Sequence, residues 1–355
     1  MKIALDATYS IGDNLSGVGL YSHEILYGLA QGHPETRFSF CYRPHRYFRT
    51  SPSALPPNAR RRLLAGPFGP RTADIFHGLN QRLPGIPMRR AVATFHDLFV
   101  MTGDYSTAEF RTRFTAQAGD AARRADAIIA VSAFTKDQVV GLLGVEASRV
   151  HVIHHGVRRL AYPAIPRENV VLSVGAIQKR KNTARLIDAF RTLDSSWKLV
   201  LAGSAGYGAG EMLDRLPERV TVTGYVSEQD LAAWYARASI FAFPSLDEGF
   251  GMPVLEAMAA GTPVVTSKNS ALPEVAGNDA ILIDPQDTDA LAAALHTLAG
   301  NPDLRMDLSR RGMVRAQEFT WEKAVARTWS VYETLTGSPR LPRSSTRAGT
   351  GDPGR

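Results

Sequence analysis

Short apolar runs alternate along the chain with stretches in which apolar residues recur every three or four positions. The first kind reads as buried strands, the second as helices with one face to a core. In the first half, KIALDAT (2–8) is a predicted strand. In GLYSHEILYGLAQ (19–31), Leu20, Tyr21, Ile25, Leu26 and Leu29 share one helical face. RFSFCY (37–42) is a second strand. After a loop with several prolines, DIFHG (74–78) and AVATFHD (91–97) read as short buried strands. AEFRTRFTAQAGDAARRA (108–125) is a helix and DAIIAVS (126–132) a strand. AFTKDQVVGLLG (133–144) is a helix with Ser132 as its cap, and VHVIHHG (150–156) is a strand.

RRLAYPAIPRE (158–168) carries two prolines and interrupts the periodicity, as an interdomain linker would. The pattern then restarts: strand 169–176, helix 182–193, strands 198–204 and 220–226, helix 228–238, strand 239–245, helix 253–261, strands 263–267 and 280–284, helix 288–300. WEKAVARTWSVYETL (321–335) is one more helix, and the Ser/Gly/Pro/Arg-rich end is expected to be disordered. Strand–helix alternation implies parallel sheets covered on both faces. The expected fold class is therefore α/β, with two doubly wound, Rossmann-like domains facing each other across a cleft. The expected division is 1–160, 161–320, a helix over 321–337 that packs back on the first domain, and a tail over 338–355.

Composition narrows the class. A chain of 355 residues suits two domains that each bury a core. One cysteine, Cys41, excludes an internal disulfide framework and fits a reducing compartment. The opening residues lack the basic-then-apolar layout of a signal peptide, and no run reaches the roughly 20 apolar residues of a membrane span. The expected location is cytoplasmic. The net charge of +7 is uneven: residues 1–165 hold 20 Lys/Arg against 12 Asp/Glu. Arg60, Arg61, Arg62, Arg71, Arg82, Arg89 and Arg90 supply much of the excess. No aromatic-interleaved basic stripe or helix-turn-helix signal accompanies it, so no nucleic-acid partner is expected. An anionic membrane surface, an acidic acceptor or a solvated face each fit the charge.

The chemistry concentrates in SLDEGFGMPVLEAMAAG (245–261). It follows a buried strand, so it lies where ligands of open α/β sheets bind. Gly249 and Gly251 allow close backbone approach, and Pro253 suits the first turn of a helix. The start of that helix offers free N–H groups to an anion. Glu248 before it and Glu256 within it can accept from sugar hydroxyls. A ligand with hydroxyls on both sides of a diphosphate is a nucleoside-diphosphate sugar.

EGFGMPVLE resembles the E-x7-E motif of the retaining GT-B glycosyltransferases, family 4 in particular. SGVGLYSHEIL, DIFHGLNQRLP, TFHDLF, RADAIIAVSAFTKDQV, VIHHGV, SVGAIQKRKNTARLIDAF, GYVSEQDLAAWYARA and GTPVVTS resemble further segments of that family in the same order, over about residues 1–330. TFHDLF and QKRKN are similar in style to mannosyl- and rhamnosyltransferases of bacterial surface polysaccharide assembly. The resemblance implies that Glu256 binds ribose hydroxyls and Glu248 the donor sugar. It implies that N–H groups around Gly249, Phe250, Gly251 and Met252 face the diphosphate and sugar. Lys181 and Arg180 would neutralise the diphosphate, Arg180 standing in for the arginine that many members carry where this chain has Ala176. The position of the two cations, after a strand and before a helix capped by Asn182, is compatible with that role. Val226 would contact the base through its backbone, Gly17 would close a loop on the donor, His96 would reach the reacting centre and Asp97 would help hold the loop. No metal or other cofactor is implied. The implied partners are a nucleotide-sugar donor, GDP-mannose slightly favoured, and a saccharide or lipid-linked acceptor, with peripheral contact to an anionic membrane as an option.

Other readings compete. His154 and His155 of HVIHHG lack helical H-E-x-x-H spacing and point apart on a strand. Asp287 and Asp289 of DTD precede a helix and suit capping. Met252 and Met258 are simply core candidates. A nicotinamide-dependent oxidoreductase should carry G-x-G-x-x-G after its first strand; Ser22 stands where the third glycine belongs. A sugar-nucleotide epimerase of the same architecture, and a non-catalytic nucleotide-sugar-binding protein, remain alternatives.

Overall fold

The structure, a computed structural model, describes residues 1–337 except 13, 14, 16, 50–54, 67, 68, 214 and 215. The tail expected over 338–355 lies outside the described residues. The first half runs β1 (Lys2–Asp6), α1 (Gly17–Gly32), β2 (Arg37–Tyr42), α2 (Pro44–Tyr47), β3 (Ala59–Leu63), β4 (Ile75–Gly78), β5 (Ala91–Phe95), α3 (Phe99–Thr102), α4 (Ala108–Arg124), β6 (Ala127–Ala130), α5 (Ala133–Leu143) and β7 (Val150–Val152). The second runs β8 (Glu168–Val174), α6 (Thr183–Phe190), β9 (Lys198–Ala202), α7 (Gly210–Leu213), β10 (Val220–Val222), α8 (Glu228–Arg237), β11 (Ala238–Phe243), α9 (Met252–Ala259), β12 (Val264–Ser267), α10 (Leu272–Ala276), β13 (Ile281–Ile283), α11 (Thr288–Gly300), α12 (Pro302–Ala316) and α13 (Trp321–Gly337).

The strands form two sheets with every described pairing parallel, ordered β3-β2-β1-β4-β5-β6-β7 and β10-β9-β8-β11-β12-β13. The fold is α/β and doubly wound twice over. The order reverses between β1 and β4 and between β8 and β11, so each sheet opens a crevice beyond its carboxyl ends there. Central strands such as β5, β6 and β11 are buried along their whole length, which is why they read as unbroken apolar runs. One face of the first sheet packs Tyr21, Leu26, Phe38 and Phe40 with Trp321, Val331 and Tyr332 of α13, so the last helix closes the core of the first domain. The other face packs Phe95, Phe114 and Ile128 under α4 and α5.

The short helices α2, α3, α7 and α10 are not expected from the sequence pattern, and two further elements escape the periodicity. β3 is ARRRL at the sheet edge, with Arg60 and Arg62 exposed, so three arginines that resemble a charged loop are a strand. Charge on an edge strand discourages pairing with another chain. α12 buries Leu308, Gly312 and Ala316, and two of those three carry almost no side chain to mark a stripe. Gly312 lets α12 lie close on α9: a Cβ there would stand 3.2 Å from Met258 Cγ. The expected linker also shortens, because Glu168 already belongs to β8.

Candidate active site

Three loops at the carboxyl ends of the sheets meet: that after β5, with His96 and Asp97, that after β8, with Arg180 and Lys181, and that after β11, with Glu248 to Met252. The first and third touch at Gly249, and the second meets the third at Glu248. A Cβ on Gly249 would fall 1.8 Å from the His96 carbonyl oxygen and 2.9 Å from Asp97 Cβ, so only glycine fits. Its own carbonyl accepts from Ser132 Oγ at 2.7 Å and Thr135 Oγ1 at 3.0 Å. Ser132 also caps α5, accepting from the Thr135 N–H at 3.0 Å. Thr102 Oγ1 donates to Asp247 at 2.9 Å, and the Glu274 carboxylate accepts from the Ala133 N–H at 2.9 Å while meeting His154 Nε2 at 2.6 Å. These bonds stitch the two domains along the cleft.

Glu248 is buried and sits 2.6 Å from Lys181 Nζ and 2.8 Å from Arg180 Nη1. Burial alone would raise its pKa, but the Arg180 and Lys181 charges outweigh burial and hold it at about 2. Burial pulls Lys181 down to about 8 against the attraction of Glu248. Burial acts on Arg180 in the same sense, yet Glu248 and the aspartates beside it leave it raised. The guanidinium lies 4.2 Å from the Phe99 ring centre and donates to the Asp247 carbonyl; the Lys181 ammonium lies 4.4 Å from that of Phe243. Burial raises Asp97 to about 6, opposed by Arg180 and reinforced by Glu248 and Asp247.

The segment 245–251 reaches α9 through Gly251 at φ 119°, a conformation glycine adopts freely. Among the described residues, the N–H groups of Gly249, Phe250, Gly251 and Met252 donate to no backbone carbonyl. The Phe250 ring is edge-on to His155 at 4.9 Å, and Met252 joins the apolar core of the first domain. Glu256 faces a different set of groups from Glu248. Its carboxylate accepts from Tyr235 OH at 2.8 Å and pairs with Arg158 Nε at 3.2 Å. Burial raises its pKa, partly offset by Arg158. Tyr162 OH donates to the Glu256 carbonyl at 3.0 Å. Val226 lies just before α8, half-buried against the same core as Tyr235.

His96 Nε2 donates to the Leu79 carbonyl at 2.9 Å, which leaves Nδ1 as the acceptor, 3.4 Å from His155 Nε2. Burial lowers His96 to about 4 and His155 well below its ordinary value, so both are neutral near pH 7. β7 ends at Val152, so His154 and His155 lie beyond it and not on the expected strand; their rings turn to Glu274 and His96 respectively. Asp287 Oδ1 accepts from the Ala290 N–H at 2.9 Å and caps α11. Met258 is buried core.

Two readings are corrected. Gly17 is not in a loop but is the exposed first residue of α1. Asn182 does not cap α6 with its side chain. It adopts φ 58°, and its amide donates to the Pro244 and Pro285 carbonyls at 3.0 and 2.6 Å, tying the loop after β8 to those after β11 and β13. Arg158, Tyr162 and Tyr235 around Glu256, and Thr102, Asp247 and Glu274 along the seam, were not identified from sequence; Ser132 was identified as a cap but not for its seam bond. No local spacing marks them, since these partners lie 18 to 145 residues away.

Two doubly wound domains thus face each other across a cleft, with the loop 248–252 where they meet. Residues 161–315 match the model of glycosyl transferases group 1, and residues 17–159 match that of glycosyltransferase family 4. The chain is 32% identical over 285 residues to O-antigen chain mannosyltransferase B of Escherichia coli, covering 74% of each. Among solved structures it is similar to sucrose-phosphate synthase of Thermosynechococcus elongatus, with a TM-score of 0.78 and 22% identity over 95% of this chain and 100% of that one. It is also similar to the Anabaena protein HepE in complex with UDP-glucose, with a TM-score of 0.71 and 18% identity over 95% and 100%. The chain belongs to the family 4 glycosyltransferases and has their GT-B fold.

Proposed function

We propose that this glycosyltransferase moves a hexose, with mannose from GDP-mannose favoured, to a saccharide or lipid-linked acceptor with retention at the anomeric carbon. The observation that carries this is the Glu248–Lys181–Arg180 cluster beside four N–H groups that, among the described residues, donate to no backbone carbonyl. In the structure Glu248 occupies both cations. An arriving diphosphate takes over Lys181 and Arg180 and leaves a Glu248 oxygen to accept from sugar hydroxyls. Glu256, with Tyr235 and Arg158 around it, is the ribose partner. His96, neutral, orients the sugar through Nδ1, whose long 3.4 Å contact with His155 Nε2 gives way to a sugar hydroxyl, and does not act as a dedicated base.

The bond from the anomeric carbon to the diphosphate oxygen breaks as the acceptor oxygen bonds to that carbon on the same face. The acceptor proton passes to the departing diphosphate, giving a glycoside and a nucleoside diphosphate. The rate gain comes from positioning and from cations aimed at the developing charge. Those cations are side chains, and the proposed reaction requires no metal. The mannosyltransferase relative supports the donor preference and a role in surface-polysaccharide synthesis.

Calorimetry with GDP, UDP, ADP and dTDP on wild type and Glu256→Ala tests the donor site. One nucleotide should bind clearly tighter and lose affinity in the variant; equal affinity in both would reject the ribose assignment. The tighter nucleotide should also bind less well as pH rises above about 8, because Lys181 then sheds the proton that diphosphate requires. The loss should approach about tenfold per pH unit, the limit for one linked proton. Binding without diphosphate release in the presence of acceptors would favour a non-catalytic binding protein, and conversion of the donor alone would favour an epimerase.

Peripheral membrane contact belongs to the same proposal. Phe48 is 85% exposed between Arg46 and Arg49 in the chain, and Arg60 and Arg62 line an exposed edge. Among the described residues no helix is long and apolar enough to cross a membrane. Sedimentation with anionic vesicles should fall at least several-fold in Phe48→Ser/Arg49→Ala relative to wild type; unchanged sedimentation would reject the contact.

A further inference from the structure

A chain of buried polar groups runs from the last helix to the site. Tyr332 OH of α13 lies 2.6 Å from His77 Nδ1 on β4. His77 Nε2 lies 2.8 Å from Thr94 Oγ1 on β5, and Thr94 Oγ1 lies 2.8 Å from Tyr21 OH on α1. All four side chains are fully buried. Burial and the neighbouring His96 lower His77 to about 3, so it is a neutral imidazole with one N–H. The short contact suits the phenol of Tyr332 donating to Nδ1, which assigns the N–H to Nε2, directed at Thr94. The end of the chain is an aromatic contact. The Tyr21 ring stands edge-on to His96, with centroids 4.7 Å apart at 80°, and edge-on to His155 at 4.9 Å.

A sheet core does not need this polar chain for stability, because apolar residues of the same shape would pack without satisfying four buried groups. Its geometry does something that packing alone does not. The bond to Thr94 fixes the Tyr21 ring, and that ring bears edge-on against both His96 and His155, while the Leu79 carbonyl sets the His96 tautomer. Thr94 lies two residues before His96, so the strand and the ring position the imidazole together.

We infer that Tyr332, His77, Thr94 and Tyr21 form a positioning relay through which the C-terminal helix sets the orientation of the His96 ring. The relay residues touch no reacting atom. The inference rests on the proposed role of His96 for its consequence in catalysis, but not for its spectroscopic readout.

The test uses full-length protein with 15N-labelled histidine, the His96 signals being assigned by their loss in His96→Gln. Wild type should show His96 with Nε2 protonated and Nδ1 bare. Tyr332→Phe should shift those signals and lower kcat about tenfold, the scale of one positioning hydrogen bond, with donor KM within about twofold. Val331→Ala, a buried neighbour on the same helix, should lower thermal stability while leaving the His96 signals and kcat at wild-type values. Wild-type signals and kcat in Tyr332→Phe, or equal changes in Val331→Ala, would overturn the relay. Should His96→Gln turn over normally, the role of His96 fails, and the spectral response to Tyr332→Phe alone decides the relay.

Discussion

Gly249→Ala should lose about 100-fold or more in turnover, the scale for an angstrom-sized misplacement of a reacting group, while nucleotide affinity changes only a few-fold. The added methyl carbon would sit 1.8 Å from the His96 carbonyl oxygen, well inside contact distance, with backbone on both sides and no flexible side chain to yield. The domains must then part along the seam. Ser132 and Thr135 lose their acceptor at the Gly249 carbonyl, and His96 and Asp97 withdraw from Glu248. The nucleotide groups proposed here, Lys181, Arg180 and Glu256, lie on the second domain, where Arg180 loses its contact with the Phe99 ring but the cluster with Glu248 remains. Steady-state kinetics beside calorimetry would check this. A variant retaining a tenth of wild-type turnover would show that the domains need not meet at this residue.

Glu248→Ala should be damaging twice. It leaves Arg180 and Lys181 buried without their carboxylate, and breaking such a cluster from one side costs about 3–5 kcal/mol. It also removes the proposed sugar contact, for a loss of about 10²–10³ in turnover on the scale of a transition-state hydrogen bond. Nucleoside diphosphate should restore part of the stability, because it supplies the missing negative charge. The pH dependence has a definite sign. The Glu248 carboxyl is held at about 2 against an ordinary 4.5, so its contribution is whole above 4.5 and disappears as pH falls towards 2. Glu248→Gln should therefore flatten the acid limb of the stability curve. Thermal melts from pH 2 to 7, with and without nucleotide, would measure both effects. Stability equal to wild type at pH 7 would mean that the ion cluster contributes nothing net.

Much of the architecture could be read from the chain. β5, β6 and β11 are entirely buried, so their sequences are apolar throughout, and parallel strands covered on both faces look like nothing else at that length. The caps Ser132 and Asp287 were equally legible, since capping depends only on the next three residues. β3 and α12 were not. An edge strand carries charge because one side has no partner, and a helix can bury Gly312 and Ala316 without showing a stripe.

At the site the division follows the same physics. The loop 248–252 announces itself, because glycines, an acid and a proline before a helix leave a local imprint. The sequence by itself determined the alternation of strands and helices, the placement of that loop beyond a strand end and the cations after β8, all consequences of spacing within a few residues. Only the tertiary structure decided that Glu248 pairs with Lys181 and Arg180 while Glu256 faces Tyr235 and Arg158. It alone placed Gly249 against His96 and tied Tyr332 to His77, 255 residues apart. Ion pairing, tautomer and the fit of a missing side chain depend on distances of a few ångströms between distant segments, and those distances exist only once both sheets have formed and closed.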